Sequence, residues 1–139
     1  MIIKKLELEN IGPFFGQVTF DLETKNKRNG EVKPLILFGG KNGAGKTNIL
    51  DSIKLGLYGK RIFSRKVTEA DYKEAIAERI HKGEGVVEAS ITIHMDVIHH
   101  GLPHELLVER RWKRKGDGVN EELWIEEDGE VLTRIRSDH

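Results

Sequence analysis

Residues 35–60 read LILFGGKNGAGKTNILDSIKLGLYGK, and this stretch decides the fold. The apolar run from Leu35 to Phe38 is followed directly by glycines, which is typical of a strand covered on both faces. Beyond the glycines, apolar residues recur at helical spacing and predict a buried helix face made of Ile49, Leu50, Ile53 and Leu57. Asp51 and Lys54 are expected to point away from that face. The stretch therefore predicts a strand, a glycine-rich turn and an amphipathic helix in succession.

The turn between this strand and this helix has the composition of a phosphate-binding loop. Residues 40–47 match the pattern G-x-x-x-x-G-K-[ST], after a buried strand and at the start of a helix, as the motif requires. Glycines let the backbone close around an anion, so that successive N–H groups point at a phosphate. The helix N-terminus adds a partial positive charge. We predict a nucleotide site formed by Gly40, Asn42, Gly43, Ala44, Gly45, Lys46, Thr47 and Asn48.

Two side chains of the motif carry most of its chemistry. Lys46 can reach the β- and γ-phosphate oxygens of a nucleoside triphosphate, and the hydroxyl of Thr47 is placed to bind Mg²⁺ that bridges the same phosphates. We therefore expect ATP and Mg²⁺ as cofactors, with Thr47 as the metal ligand. The alternative is a glycine-rich turn that binds nothing.

Composition limits the other possibilities. The chain has 139 residues, which is one domain, and no apolar run approaches the roughly 20 residues that span a bilayer. The N-terminus has no signal-peptide pattern, so we expect a cytoplasmic protein without a membrane partner. The absence of cysteine excludes disulfides and thiolate metal sites. The 23 basic and 23 acidic residues balance, so any surface that attracts nucleic acid must be local.

The rest of the chain predicts mainly strands. Residues 2–22 resemble a strand pair, and a second helix is expected to start at Thr68, with Asp71 in a capping box, and to end near Gly83. Its apolar stripe would consist of Tyr72, Ala75, Ile76 and Ile80. Strict alternation over residues 87–97 predicts a half-exposed antiparallel strand, and residues 105–114 predict another. Asp128 and Gly129 predict a type I′ hairpin.

The sequence around the motif resembles the ABC-type ATPase heads of the SMC, SbcC and RecF group. NGAGKTNILD at residues 42–51 and LELENIGPFFGQVTFDL at residues 6–22 carry this resemblance. A narrower resemblance, to DndD, rests on LFGGKNGAGKTNILDSIKLGLYGKR at residues 37–61 and YKEAIAERIH at residues 72–81. DndD is the SMC-like ATPase of bacterial and archaeal DNA phosphorothioation systems.

The resemblance implies that residues 1–139 form the N-terminal half of an ATPase head. Its fold would be an α/β P-loop fold, with a mixed, largely antiparallel sheet around a helix from Lys46 to Tyr58. In the family, a coiled coil and a C-terminal half follow, and that half carries the signature motif, the Walker B acids and the switch histidine. Full-length heads would pair around ATP as a homodimer and act on DNA. This chain alone would bind ATP without hydrolysing it, and none of its residues is assigned a catalytic role.

The chain departs from the family pattern at three places. Gln17 is its only glutamine and lies in the second strand, so the family's metal-contacting glutamine is expected after residue 139. Gly12-Pro13 stands where related ATPases carry an arginine, and the basic residues Lys25, Lys27 and Arg28 could substitute. The segment SITIHMD resembles a Walker B strand, but it alternates, so Asp96 is interpreted as an ordinary strand-end residue.

Two further clusters have competing interpretations. VERRWKRK, at residues 108–115, would place Arg110 and Trp112 on one strand face and Arg111 and Lys113 on the other. It is either a DNA contact or, more commonly for such a strand, a solvated edge neutralised by the acidic residues 121–130. His94, His99, His100 and His104 suggest zinc, but a flexible hairpin loop around Gly101 and Pro103 is favoured.

Three alternatives to the DndD interpretation stay open on the sequence. The chain could belong to another SbcC- or RecF-type repair ATPase. It could be a nucleotide-binding module without turnover, or a small P-loop kinase or GTPase. A kinase or GTPase would need its own Walker B strand and base-reading motif within these residues, and neither pattern is found.

Overall fold

The computed structural model describes residues 1–22, 44–63, 66–116 and 118–137, and for residues 44–48 and 137 it describes the backbone alone. The predicted strand at Leu35 to Phe38 and the motif residues 40–43 lie outside this range. The described residues form two α-helices, a short 3₁₀ helix and six strands. Their bounds are β1 Ile2–Glu9, β2 Gln17–Asp21, α1 Ala44–Tyr58, the 3₁₀ helix Gly59–Ile62, α2 Glu69–Arg79, β3 Glu88–His99, β4 Leu102–Lys115, β5 Gly118–Glu127 and β6 Glu130–Ser137.

The six strands form one sheet in the order β2-β1-β3-β4-β5-β6, and every pairing is antiparallel. This confirms an α/β fold with a largely antiparallel sheet. The predicted strand pair at the N-terminus is also confirmed, with Leu6 opposite Phe20 and Leu8 opposite Val18. Neither described helix, of 15 and 11 residues, is long and apolar enough to cross a membrane.

One face of the sheet carries the core, and both helices pack against it. Leu6 on β1 lies opposite Ile93 on β3, which lies opposite Val108 on β4. Leu6, Leu8, Ile91 and Ile93 are all fully buried. Burial of each such side chain stabilises the fold by about 1.5–3 kcal/mol. We call this the helix face of the sheet and the other the open face.

Strand β3 is more buried than its alternation predicts. Ser90 and Thr92 point to the open face, yet they are only 4% and 8% exposed. The strand lies between β1 and β4, so longer side chains from both neighbours cover its small polar residues. One such contact joins the Ser90 hydroxyl to Glu9 at 3.3 Å. The prediction of a half-exposed strand was therefore wrong for its first half.

Helix α2 starts as predicted but ends earlier. The Thr68 Oγ1 accepts from the Asp71 N–H at 3.1 Å, and the Asp71 carboxylate accepts from the Thr68 N–H at 3.4 Å, which completes the capping box. The helix ends at Arg79, because Ile80 is extended and pairs with Ile11 in an isolated bridge. The prediction of an end near Gly83 was wrong. The predicted stripe is buried at Tyr72, Ile76 and Ile80, whereas Ala75 is only half-buried.

Tight turns join the last strands in pairs. Asp128 and Gly129 both have positive φ, 51° and 85°, as a type I′ turn requires, so the predicted hairpin is confirmed. His100 and Gly101 make an equally short turn between β3 and β4, with φ values of 52° and 78°. Pro103 belongs to β4. The hairpin predicted at this place is therefore confirmed, as a two-residue turn.

Candidate nucleotide site

Helix α1 begins inside the glycine-rich motif. Its first residue is Ala44, so Gly45, Lys46 and Thr47 lie in its first turn. The first four N–H groups of a helix have no partner within the helix, so they are available to an anion. Residues 40–43 and the side chains of residues 44–48 lie outside the description, and the eight site residues named above stay predictions.

The side of α1 that faces the sheet differs from the predicted side. Among its residues with described side chains, the buried ones are Gly56, Ile49, Ser52 and Leu55, of which the last three are 9%, 3% and 1% exposed. Leu50 is 51% exposed, and Ile53 and Leu57 are only partly buried. The predicted face was therefore wrong at Leu50 and omitted Leu55. The contact between α1 and the sheet depends on the small residues Ser52 and Gly56, which a hydrophobic pattern does not identify.

Gly56 is a position of close approach between α1 and the sheet. A Cβ atom placed there would lie 2.8 Å from Ile91 Cγ2 and 2.8 Å from Ile93 Cδ1. Contacts under 3 Å are repulsive, so only glycine allows this separation. The close approach fixes the distance from the helix to β3, and therefore the position of the helix that carries the motif.

Arg110 holds the C-terminal part of the same helix. Its Nε donates to the Gly56 carbonyl oxygen at 2.9 Å, and its side chain is only 12% exposed. A cation at the C-terminal end of a helix also complements the helix dipole. Gly59 has a φ of 55° and leaves room for the guanidinium, since a Cβ there would lie 2.8 Å from the Arg110 Cζ. Arg110 therefore links the helix to β4.

Glu121 on β5 connects three elements beneath the helices. It lies 3.8 Å from Arg110 Nη1, and it accepts from Trp112 Nε1 at 2.9 Å and from the hydroxyl of Tyr72 on α2. Burial, followed by the negative charge of Glu121, raises the pKa of the Tyr72 hydroxyl far above its usual range. The hydroxyl therefore stays protonated and acts as a donor. These contacts join α2, β4 and β5 through one carboxylate.

A second ion pair joins the two helices directly. Arg79 Nε on α2 lies 3.1 Å from the Asp51 carboxylate on α1, and the Arg79 guanidinium lies over the Phe63 ring at 5.1 Å. Asp51, predicted to point away from the packed face, is 39% exposed and pairs with α2 and not with the sheet. Lys54 is exposed, as predicted.

The other acidic and polar residues singled out in the sequence lie away from α1. Asp96 is on the open face, where Lys4 Nζ lies 3.6 Å from it, and it stands three residues before the end of β3. Gln17 starts β2. The Gly12-Pro13 turn packs against the end of α2, since the Gly12 N–H donates to the Arg79 oxygen at 2.6 Å. The basic residues Lys25, Lys27 and Arg28 lie outside the described residues.

The basic strand is an interior strand, so the predicted solvated edge was wrong. Its two faces are as predicted, with Trp112 only 1% exposed on the helix face. On the open face, Arg111 has carboxylate oxygens of Glu109, Glu9 and Glu88 at 3.1, 3.4 and 3.8 Å. Burial acts to lower the pKa of Arg111, but its hydrogen bond to Glu109 and these acidic charges outweigh burial and raise it. The charge of Arg111 is therefore largely compensated within the chain.

Two of the four clustered histidines come together with a carboxylate that the sequence did not single out. His99 and His104 lie near Glu127, whereas His94 is on the open face, 3.5 Å from Glu7. The positions of Glu127 in β5 and of His104 in β4 become neighbours only through the sheet register. No spacing in the sequence indicates this proximity.

Comparisons with known proteins agree with this architecture. A family model described as an AAA domain matches residues 5–135. The SbcC component of the nuclease SbcCD from Treponema pallidum is 41% identical over 61 residues, 44% of this chain and 5% of that protein. The DNA double-strand break repair Rad50 ATPase of Thermoplasma volcanium is 30% identical over 99 residues, 71% of this chain and 9% of that protein.

The chain therefore spans less than a tenth of the length of either relative. The similarity to SbcC and Rad50 agrees with the resemblance to the SMC, SbcC and RecF group that the sequence around the motif carries. Because the family match runs through nearly all of the residues, from the first strand to the last, the chain belongs to the AAA domain family.

Proposed function

We propose that this chain binds ATP and Mg²⁺ as the N-terminal, Walker A half of an SMC-like ATPase head. Its phosphate-binding residues would be Gly40, Asn42, Gly43, Ala44, Gly45, Lys46, Thr47 and Asn48, with Thr47 as the metal ligand. The proposal is supported by the family match and by the two relatives, one of which is an ATPase and the other a component of a nuclease. The observation that carries it is the start of α1 at Ala44, inside the motif.

The packing of α1 supports a preorganised binding site. Gly56 sets the distance to the sheet, and Arg110 and Asp51 tie the helix to β4 and α2. A helix held at its far end and along its length presents its N-terminal N–H groups in one position. Fixed donors cost little to reorganise when an anion binds. The helix N-terminus is thus suited to a phosphate group.

Hydrolysis, in this proposal, belongs to the assembled head and not to this chain alone. Attack on the γ-phosphate needs a group that positions water and donors that stabilise the equatorial oxygens. Asp51 and Glu121, which lie near the helices, are engaged with Arg79 and Arg110. The C-terminal half of the head would supply the Walker B acids, and a second head would supply the signature motif.

For the parent protein we propose a cytoplasmic role on DNA, in a phosphorothioation-linked modification or restriction system. This narrower step rests on the DndD-like residues 37–61 and 72–81. A repair ATPase of the SbcC or RecF type is the alternative, and both relatives, an SbcC and a Rad50, favour this alternative. Iodine cleavage of genomic DNA, which detects phosphorothioates, separates the two. Loss of cleavage in a strain whose parent gene carries Lys46→Ala supports the narrower role, and unchanged cleavage supports the repair role.

The binding site can be located by amide hydrogen exchange on the chain with and without ATP and Mg²⁺. Nucleotide should slow exchange in residues 40–48 and leave β6 unchanged. Adenosine, which lacks phosphates, is the matched control and should slow exchange at neither place. Protection that appears elsewhere, or that adenosine reproduces, would contradict the proposed phosphate site.

A further inference from the structure

Two hairpin turns lie side by side at one end of the sheet, far along the chain from the motif. One is the His100-Gly101 turn between β3 and β4, and the other is the Asp128-Gly129 turn between β5 and β6. The Asp128 N–H donates to the Glu105 oxygen at 2.8 Å, and the Glu105 N–H donates to Asp128 Oδ1 at 2.9 Å. These bonds fix the second turn against the start of β4.

The sheet register places three metal-binding side chains on one face at this end. His104 on β4 lies opposite Val97 on β3, and Glu127 on β5 lies opposite Leu106 on β4. His99 is two residues beyond Val97, so it shares the face of Val97. His99, His104 and Glu127 therefore all project from the helix face, beyond the end of the hydrophobic core.

Their ligand atoms are spaced as the corners of a coordination shell. Nδ1 of His99 and Nδ1 of His104 lie 3.3 and 3.4 Å from the same oxygen, Glu127 Oε1. All three ligand atoms are within 4.8 Å of one another. Zinc bonds of about 2.0–2.1 Å in a tetrahedron imply ligand separations of about 3.3 Å. The two nitrogen-to-oxygen distances therefore already match a tetrahedral edge.

A fourth donor is adjacent. Asp128 Oδ2 lies 2.6 Å from His104 Nδ1, while its other oxygen accepts from the Glu105 N–H. In the metal-free chain this contact is a hydrogen bond that orients the imidazole. A small outward shift of the carboxylate would make it an oxygen ligand. Donor sets of imidazole and carboxylate bind zinc and related transition ions in preference to Mg²⁺.

We propose that His99, His104, Glu127 and Asp128 bind one Zn²⁺ ion that clips the two hairpin turns together. His104 and Asp128 also line a depression of about 410 Å³. The side chains of His104 and Glu127 are 24% and 19% exposed, and those of His99 and Asp128 are 56% and 52% exposed, so solvent and ions reach the site directly. The four ligands come from β3, β4, β5 and the β5–β6 turn, and the ion would join the two hairpin turns. Its role is structural.

The test is a zinc titration of the nucleotide-free chain at pH 8, after chelator treatment, in competition with a chromophoric chelator. One equivalent of Zn²⁺ per chain is expected. His99→Ala, His104→Ala and Glu127→Gln should each weaken binding by about ten-fold or more, since even outer-shell changes cost about 10–100-fold. His100→Asn, in the same turn, is the matched control, because asparagine tolerates the positive φ at this position, and it should bind as the parent does. Mg²⁺ should not compete.

Thermal denaturation of each variant, with and without Zn²⁺, distinguishes loss of a zinc ligand from misfolding of the variant. Zn²⁺ should raise the melting temperature of the parent and of His100→Asn, and should raise the melting temperatures of His99→Ala and His104→Ala by less. In chelator, the melting temperatures of the parent and of the variants should be similar. The proposal is overturned if the parent binds no zinc. It is equally overturned if His100→Asn loses as much affinity as His99→Ala.

Discussion

Arg110 on β4 donates from its Nε to the backbone oxygen of Gly56 on α1, over 2.9 Å. The bond joins the sheet to the helix whose first turn carries Lys46 and Thr47. At Gly56 the helix also approaches Ile91 and Ile93 too closely for a Cβ atom to fit without a shift of these side chains. One position therefore sets both the distance and the register of this helix on the sheet.

Gly56→Ala should lower the free energy of unfolding by about 1–2 kcal/mol. An added methyl in such a tight contact costs about 1–3 kcal/mol, and the higher helix propensity of alanine returns up to about 1 kcal/mol. Gly118→Ala is the matched control, because a Cβ there would lie 3.6 Å from its nearest neighbour, Lys115 O. Urea denaturation measures both. Equal effects of the two substitutions would mean that α1 does not pack this closely.

Glu121→Ala should destabilise the chain by about 3 kcal/mol, because it leaves the Arg110 charge and the Tyr72 and Trp112 donors without this acceptor. Tyr72→Phe alone should cost about 1 kcal/mol and should cost less in the Glu121→Ala background, since the two residues share one contact. The control is Glu130→Ala, at an exposed position on β6, with an expected change below about 0.5 kcal/mol. Additive effects in the double variant would show that the Tyr72–Glu121 contact contributes nothing.

Replacement of Arg111, Lys113 and Lys115 by alanine should leave the salt dependence of DNA binding nearly unchanged. Arg111 is already compensated by Glu9, Glu88 and Glu109. If the basic strand contacted phosphates, the slope of log affinity against log salt would flatten by about 0.9 for each lost contact. Fluorescence anisotropy with a labelled duplex at several salt concentrations measures the slope. A flattening of about 2 or more would restore the DNA interpretation of this strand.

The chain alone should not turn ATP over. Phosphate release is the measurement, over a range of chain concentrations, with Lys46→Ala to reveal contaminating ATPases. A higher concentration of the chain should not restore activity if the Walker B acids come from the C-terminal half of the head. Turnover above about 1 s⁻¹, the low end of ordinary enzyme rates, that disappears in Lys46→Ala would reveal a catalytic group within this chain.

Local patterns in the sequence predicted local structure well. The alternation of VERRWKRK placed Arg110 and Trp112 on the same face, which the structure shows to be the buried one. The capping box of α2 and the Asp128-Gly129 turn were found where the residue types require them. Each of these features depends on residues close together in the chain. Strand alternation, helix capping and turn preferences each depend on a few neighbouring residues, so they can be predicted from a single sequence.

The errors arose where distant segments meet. The packed side of α1 is set by Ser52, Gly56 and Leu55, because the helix lies so close to β3 that small residues must face the sheet. β4 was taken for an edge, since nothing within residues 108–115 indicates that β5 pairs with it. The Glu127 contact with His99 and His104 depends on the register of three strands. Such contacts are properties of the tertiary structure, and composition and spacing do not encode them visibly.

The central claim, that the loop at residues 40–48 binds the phosphates of ATP, is tested most directly by calorimetric titration of ATP and Mg²⁺ into three forms of the chain. These are the parent, Lys46→Ala and Lys54→Ala, which removes an exposed lysine from the same helix. Lys46→Ala should weaken binding by about 1.5–3 kcal/mol, the range for a charge-assisted hydrogen bond, and Lys54→Ala should bind as the parent does. Equal affinity of the parent and Lys46→Ala would contradict the claim, as would an equal loss in both variants.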